Sequence, residues 1–289
     1  LDNASEIFST FAGGQSVAIP QNPFDSTVGE RGLSAFDQRH NFTTNFVIEA
    51  PWYKDQKGFT GHALGGWELT SIIRAASGRP YTPVEFFGNY DVGFDSAFLS
   101  GVGPIRPFNG NPTAPVGTIA FGYGAACYIL FGGPECNSAV PGNFIIYDTR
   151  FPGSQGKVVA NAAAALQGAR LIYNDAGLLA NFGSSGFAAS DFEALNFFHT
   201  PYGNVGRNTF HGLPFFTVNL GVFKTTRISE KYKVEFRAEA TNLMNRRNFG
   251  VPDAIAEDAS FGNFVGSFQN PGWNAGSSRS LRFGLRFIF

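Results

Sequence analysis

The chain has 289 residues, and its 21 Lys and Arg against 22 Asp and Glu leave a net charge of -1, which offers no attractive field to nucleic acid or to anionic lipid headgroups. Charged residues make up only 15% while aromatics reach 16%, with 33 Phe, more than an ordinary core takes. The 36 Gly and 16 Pro recur without a period, which excludes collagen and speaks against helical bundles.

No apolar run approaches the roughly 18 residues that a membrane-spanning helix needs. Strands of a membrane barrel need only about 10 residues of alternating character, and a mean hydropathy of -0.06 is what half-polar strands produce. Leu1 to Glu6 carries neither a basic nor an apolar leader segment, so no signal peptide is expected there.

Glu6 to Phe11 reads as a truncated strand. Phe42, Thr44, Phe46 and Ile48 alternate with Thr43, Asn45, Val47 and Glu49, the two-residue period of a strand. Trp67 to Ala76 reads as the next strand, with mixed faces. Within the long stretch 78–213, Ile119 to Phe131 and Phe144 to Tyr147 read as strands. There, too, Lys157 to Leu179 has Val158, Ala162, Ala165, Leu166 and Ala169 at helical spacing, and Ser190-Asp191-Phe192-Glu193 fits a capping box. Phe216, Val218, Leu220 and Val222 alternate with Thr217, Asn219 and Gly221. After the polar turn Arg227 to Lys231, Tyr232, Val234, Phe236, Ala238 and Ala240 alternate with Lys233, Glu235, Arg237, Glu239 and Thr241. The chain ends on Leu281, Phe283, Leu285, Phe287 and Phe289, separated by Arg282, Gly284, Arg286 and Ile288. About six strands result.

The connections alternate in length. Those after the strands near 42–50 and 216–226 are short or modest, whereas 12–37, 78–213 and 243–279 are long and rich in Gly, Pro, Asn and Phe, the asymmetry of outer-membrane barrels. A compact soluble domain rarely carries a structureless loop above about 15 residues. The expected fold class is therefore all-β: an antiparallel up-and-down transmembrane β-barrel segment, about six strands of a larger barrel, with 78–213 as a long extracellular excursion. Followed up and down, the chain brings its C-terminus to the periplasmic side, and Trp52, Tyr53, Trp67, Tyr232 and Phe289 fall near the short-turn end, where an interfacial girdle would sit. Cys127 and Cys136, nine positions apart, are either a small disulfide-closed loop or two unpaired thiols.

Phe36-Asp37-Gln38-Arg39-His40-Asn41-Phe42, Gly65-Gly66-Trp67-Glu68-Leu69 and Ser77-Gly78-Arg79-Pro80-Tyr81 resemble strand and hairpin segments of Oar-like TonB-dependent transporters. Gly203 to Thr209, Phe236 to Asn245 and Asn248-Phe249-Gly250 are similar to the C-terminal signature of that family. The resemblance covers roughly 31–83 and 203–289. It implies an outer-membrane barrel of about 22 strands with an N-terminal plug. The plug would couple to an inner-membrane TonB complex that drives uptake. With about six strands and no plug, residues 1–289 are expected to be the C-terminal part of the barrel, unable to span a membrane alone because two strand edges would meet hydrocarbon unpaired.

On this reading Lys233, Glu235, Arg237, Glu239, Arg282 and Arg286 face a hydrated or plug-filled lumen. Phe216, Val218, Leu220, Val234, Phe236, Phe283, Leu285 and Phe287 face lipid, since a charge at a lipid-facing midplane site costs about 2–4 kcal/mol. The bland alternative is a soluble sheet with a solvated charged face. Terminal Phe289 resembles the signal by which the barrel-assembly machinery recognises its clients through strand pairing. Aromatics of the long stretch (Phe86, Phe87, Tyr90, Phe94, Phe98, Phe108, Phe121, Tyr123) either form an adaptable recognition surface or pack the excursion on itself, and packing is the simpler reading.

No catalytic, cofactor-binding or metal-ligating set is expected. His40, His62, His199 and His211 are scattered, and no nucleophile elbow, phosphate loop or dinucleotide fingerprint occurs. Besides active transport, two functions stay open: an outer-membrane surface or adhesion protein using the barrel as an anchor, and a secreted soluble β-sandwich.

Overall fold

The computed structural model describes residues 3–4, 9–10, 16–17, 31–34, 37–85, 105–129, 133–178, 188–263 and 278–289. In chain order the elements used below are β1 (Asn41–Glu49), α1 (Gly58–Leu64), β2 (Trp67–Ala76), β3 (Thr118–Gly122), α2 (Tyr123–Ile129), β4 (Phe144–Asp148), β5 (Lys157–Val159), α3 (Ala162–Gly168), β6 (Leu171–Ile172), α4 (Glu193–Phe198), β7 (Phe215–Arg227), β8 (Lys233–Thr241) and β9 (Ser280–Ile288). They fall into two compact units, one of Gln38–Gly78, Leu213–Gly250 and Ser267–Phe289, the other of Leu1–Asp37, Arg79–Gly212 and Val251–Gly266.

The first unit is one antiparallel sheet in the order β9-β8-β7-β2-β1. Its strands are the segments whose apolar residues recur every second position, because alternation lets each ladder keep its hydrogen bonds in the plane and sort side chains by face. Gly66 marks the start of β2. Its φ is +73°, and a Cβ there would lie 2.2 Å from the Thr225 carbonyl, so a larger residue would break the Thr225 N–H to Gly66 O bond that prolongs the ladder. Of the expected strand Glu6 to Phe11, only Ser9–Thr10 is described. It pairs with Ser16–Val17 in a separate two-residue ladder, so the described sheet holds five strands, and these do not close into a barrel.

The second unit folds around the sheet β5-β4-β3-β6, completed by Phe108–Asn109, with only the β3 and β6 pair parallel. All five residues of β3 are buried. On one side Ile119 and Phe121 pack with Tyr81, Ile145 and Tyr173; on the other Ala120 packs with Phe144, Ile172 and the Ala162 and Ala165 face of α3. Both faces of this sheet are covered by apolar side chains, so the large apolar residues of this unit form a buried core.

Three expectations for this stretch are corrected. The strand over Ile119 to Phe131 stops at Gly122 and becomes α2, whose Ala125 and Ala126 are fully buried; a strand would have turned one of this adjacent pair out of the core. The helical pattern over Lys157 to Leu179 holds for α3 and again at 176–178 but not throughout, because Val158 and Val159 extend β5, the Asn161 side chain caps Ala164 at 3.0 Å and starts the helix, and the chain re-enters the sheet at Leu171. The capping box at Ser190 does not form. Helix α4 starts at Glu193 and is capped from a distance by Asp175, whose carboxylate accepts the N–H groups of Ala194 (2.9 Å) and Leu195 (2.8 Å). Of the two cysteine states, the disulfide is the one found: Cys127 on α2 is bonded to Cys136 in the next turn.

Candidate functional site

Strand pairing in the five-stranded sheet sorts most of its side chains by character onto two faces. Leu220 lies opposite Ala240, Phe236 opposite Leu285, Val234 opposite Phe287, Val218 opposite Ile73 and Phe46 opposite Ser71. Directly opposed residues share a face, so Phe42, Phe46, Ile48, Leu69, Ile73, Phe216, Val218, Leu220, Val222, Val234, Phe236, Leu281, Phe283, Leu285 and Phe287 form one apolar surface. Large members of it are open at the sheet margins: Phe283 is 72% exposed, Phe287 65% and Phe42 59%. Among the described residues no buried apolar cluster forms on this face; the one small buried pair of the sheet, Ala76 and Phe215, lies at its end on the opposite face.

The opposite face carries Glu49, Glu68, Arg74, Lys233, Glu235, Arg237, Glu239, Arg282 and Arg286 together with Asn45, Thr70, Thr217 and Asn219. Register sets Glu239 against Arg282 and Glu235 against Arg286. Arg237 pairs with Glu235 on its own strand and lies 5.6 Å from the Phe223 ring centre. Most of these charges thus have a counter-charge or a ring beside them, while Glu49 and Glu68 face each other as like charges. All eight residues expected to face lipid and all six expected to face the lumen lie on the two faces as grouped. Sequence reasoning missed Glu49, Glu68 and Arg74 on the charged face, although the same alternation, carried through Asn41 to Ala76, assigns them.

Lys224 is the exception to the apolar side. It lies opposite Trp67 near the short-turn end, where its ammonium donates to the carbonyls of His62 (2.7 Å) and Gly65 and sits 5.5 Å from the Trp67 ring centre. A cation near a membrane boundary costs about 0–1 kcal/mol, against 2–4 at the midplane, so its position at the strand end is tolerable. Trp52, Tyr53, Trp67, Tyr232 and Phe289 lie together at this end of the strands and are all exposed.

The other end of the sheet is closed by asparagines of the Phe236 to Gly250 motif. Asn242, fully buried with φ +52°, donates its N–H to the Asn219 side chain (2.9 Å) and brackets the Arg246 backbone with its amide. Asn248 accepts from Phe216 N–H (2.9 Å), and Asn245 accepts from Arg279 N–H (3.0 Å), just before β9. These residues steer the chain out of β8 and back into β9. Asparagine suits the task because its short amide both tolerates positive φ and mimics a backbone group.

In the second unit the aromatics Phe86, Phe87, Tyr90, Phe94 and Phe98 lie outside the described residues. Phe108 stacks on Phe198 at 3.8 Å and Phe121 on Tyr173 at 4.9 Å, both as core. Asp175 and Glu193 form a buried carboxylate pair that sequence reasoning did not find. A Cβ on Gly122 would lie 2.4 Å from the Glu193 carboxylate and 3.2 Å from that of Asp175. Burial pushes both up to about 7, with the Asp175 charge adding to the rise at Glu193. Glu193 accepts from Gly124 and Gly142 N–H at 3.3 and 3.4 Å, so the pair ties the end of β3, the approach to β4 and α4 together. Among the described residues no group of three or more His, Cys, Asp or Glu is placed to hold a metal ion.

A family model described as outer membrane beta barrel domain matches residues 1–282. No curated protein and no solved structure matches the chain.

Proposed function

The chain belongs to the outer membrane beta barrel domain family and lies in the bacterial outer membrane, and on that premise we propose that it is the C-terminal barrel portion of a TonB-dependent, Oar-like transporter that takes up a ligand across that membrane. The observation that carries the membrane part of this reading is the strand register, which gathers the large apolar residues on one surface and most of the charges on the other. Support for the transporter part comes from the motifs around 31–83 and 203–289, whose asparagines form the strand-end closure described above. Lipid then contacts Phe216, Val218, Leu220, Val234, Phe236, Phe283, Leu285 and Phe287. Lys233, Glu235, Arg237, Glu239, Arg282 and Arg286 line the lumen, and a plug domain would occupy it.

The protein does no covalent chemistry in this reading and uses no cofactor; energy comes from the inner-membrane TonB complex acting on the plug. Phe289, 95% exposed at the end of β9, is free to be the aromatic that the barrel-assembly machinery grasps. The test is capture of the full-length protein, extracted from outer membranes, by the periplasmic domain of TonB. Binding that a peptide of the TonB-contacting type competes away supports active transport. Absence of binding from correctly assembled protein leaves the barrel as an anchor for a surface or adhesion function instead.

A further inference from the structure

The connection between β1 and β2 contains α1, a helix of seven residues with glycines at 58 and 61. Such a segment has neither the length nor the propensity to be helical alone. It is held from outside itself. Gly61 is its one buried residue and rests on Gln56, where a Cβ would lie 2.8 Å from the Gln56 carbonyl carbon. Gln56 in turn donates to Thr225 O and accepts from Arg227 N–H, both at 2.8 Å, which fixes the base of the helix to β7.

At the helix C-terminus the carbonyls that a helix leaves without partners are taken one by one. Lys224 donates to His62 O and Gly65 O, the Trp67 indole donates to Ala63 O at 3.0 Å, and Gly65 N–H closes on Gly61 O at 2.9 Å. Lys224 and Trp67 are register partners on the apolar face, so the helix end is clamped to the side of the sheet that carries Leu69, Ile48 and Phe236. A backbone end that leaves so little for water to satisfy is what a low-dielectric boundary demands. The side chains do the reverse of what water demands: Phe59, opposite Gly61 on the helix, is 91% exposed, Leu64 47% and Trp52 56%, with the exposed cations Lys54 and Lys57 beside them.

We propose that α1 is an interfacial anchor: it lies in the boundary between headgroups and acyl chains on the short-turn side of the membrane, with Phe59 and Leu64 inserted among phospholipid tails. The occupant is phospholipid because the exposed apolar side chains continue the lipid-facing surface of the sheet, and the flanking lysines and the Trp52 indole are the groups that settle at headgroup level. The inference rests on the membrane assignment and not on transport.

Cys127 and Cys136 are bonded to each other, so a single new cysteine can be labelled selectively once any cysteine outside residues 1–289 is replaced by serine. An environment-sensitive fluorophore is placed in turn at F59C, S229C, F236C and R237C of the full-length protein, in nanodiscs of phosphatidylethanolamine and phosphatidylglycerol that leave both membrane sides open to solutes. Quenching by iodide in the water and by a lipid carrying a nitroxide on its acyl chain are compared. A label at 59 should be quenched by the nitroxide lipid and show an iodide quenching constant several-fold below that at 229, and adding Lys224→Met should raise its iodide quenching. Iodide access at 59 equal to that at 229 overturns the proposal, because the helix then stands in water. Shielding from both quenchers also overturns it, because protein and not lipid then covers α1. A label at 236 that escapes the nitroxide lipid would show that the membrane assignment has failed, separately from the anchor.

Discussion

The two units apply opposite solutions to the same composition problem. In the unit built on β3 and β4 the large apolar side chains are inside: Phe121, Tyr173, Ile145 and Phe108 are at most 2% exposed, and both faces of the sheet are covered. In the five-stranded sheet most of the large apolar side chains share one open face and the charges gather on the other. Charge follows the division. Residues of the first kind of unit count 16 Asp and Glu against 7 Lys and Arg, a net of -9, while the sheet unit has 14 Lys and Arg against 6 Asp and Glu, a net of +8, and the two sum to the -1 of the whole chain. A neutral total therefore hides an acidic unit built around a buried core and a basic unit built on the open sheet, and only the structural division makes either visible. The excess of Phe has the same origin, since one chain fills a core and covers an open sheet face with it.

The largest expected effect tests the water-folded side. Phe121→Ala removes a ring from the centre of the core, and large-to-small changes of this kind cost about 3–5 kcal/mol. The near-UV signal and protease resistance of the loop unit should be lost, while heat-modifiable migration of the barrel in gels persists. If both are lost together, the two units do not fold as separate cooperative parts.

Next in size is the reversal of the sheet. Phe236→Arg puts a charge toward lipid at a cost of about 2–4 kcal/mol, and it should abolish recovery of heat-modifiable protein from outer membranes. Arg237→Phe, one position on and on the opposite face, should assemble, with a loss confined to its pairing with Glu235. Equal tolerance of both would mean that neither face meets lipid. Deleting Phe289 should lower the yield of inserted protein with little change in the stability of what does insert, as pulse-labelled membrane fractions would report; an unchanged yield removes the assembly role from that residue.

How much of this was legible in the sequence differs between the units for the same reason that their folds differ. A sheet with one apolar and one polar face writes its structure as alternation, so β7, β8 and β9 can be read residue by residue from Phe216 to Phe289, and so can the grouping of Arg237 with Arg282. A doubly covered sheet writes no alternation: β3, with Thr118, Ile119, Ala120, Phe121 and Gly122 all buried, looks like any apolar run, and its change to α2 at Tyr123 is decided by tertiary packing of Ala125 and Ala126. Helix α1 was illegible because its stability comes from Gln56, Trp67 and Lys224, with the β7 residues about 160 positions away in the chain. The cap of α4 was misread because the acceptor, Asp175, lies outside the four-residue window in which a capping box is sought.

The smallest effect separates the units by titration. Asp175 and Glu193 are both pushed up to about 7 by burial, above the ordinary carboxylate range. A carboxyl whose pKa is higher folded than unfolded holds extra protons in the folded state. Its contribution is therefore complete below the unfolded value near 4 and is lost as pH rises through about 7. Between about pH 6 and pH 7.5 the loss for Asp175 is on the order of 1 kcal/mol. It stays modest because Ala194 and Leu195 N–H groups already support the ionised form, which is why the site persists at neutral pH at all. The near-UV melting midpoint of the loop unit should fall across that interval and level off above it, and Glu193→Gln should flatten the slope by removing the neighbouring charge, while the heat-modifiability transition of the barrel stays where it is. A midpoint that instead rises with pH would place the proton on the unfolded chain, and the buried pair would then be held as two carboxylates by its backbone donors, in the manner of an ordinary helix cap.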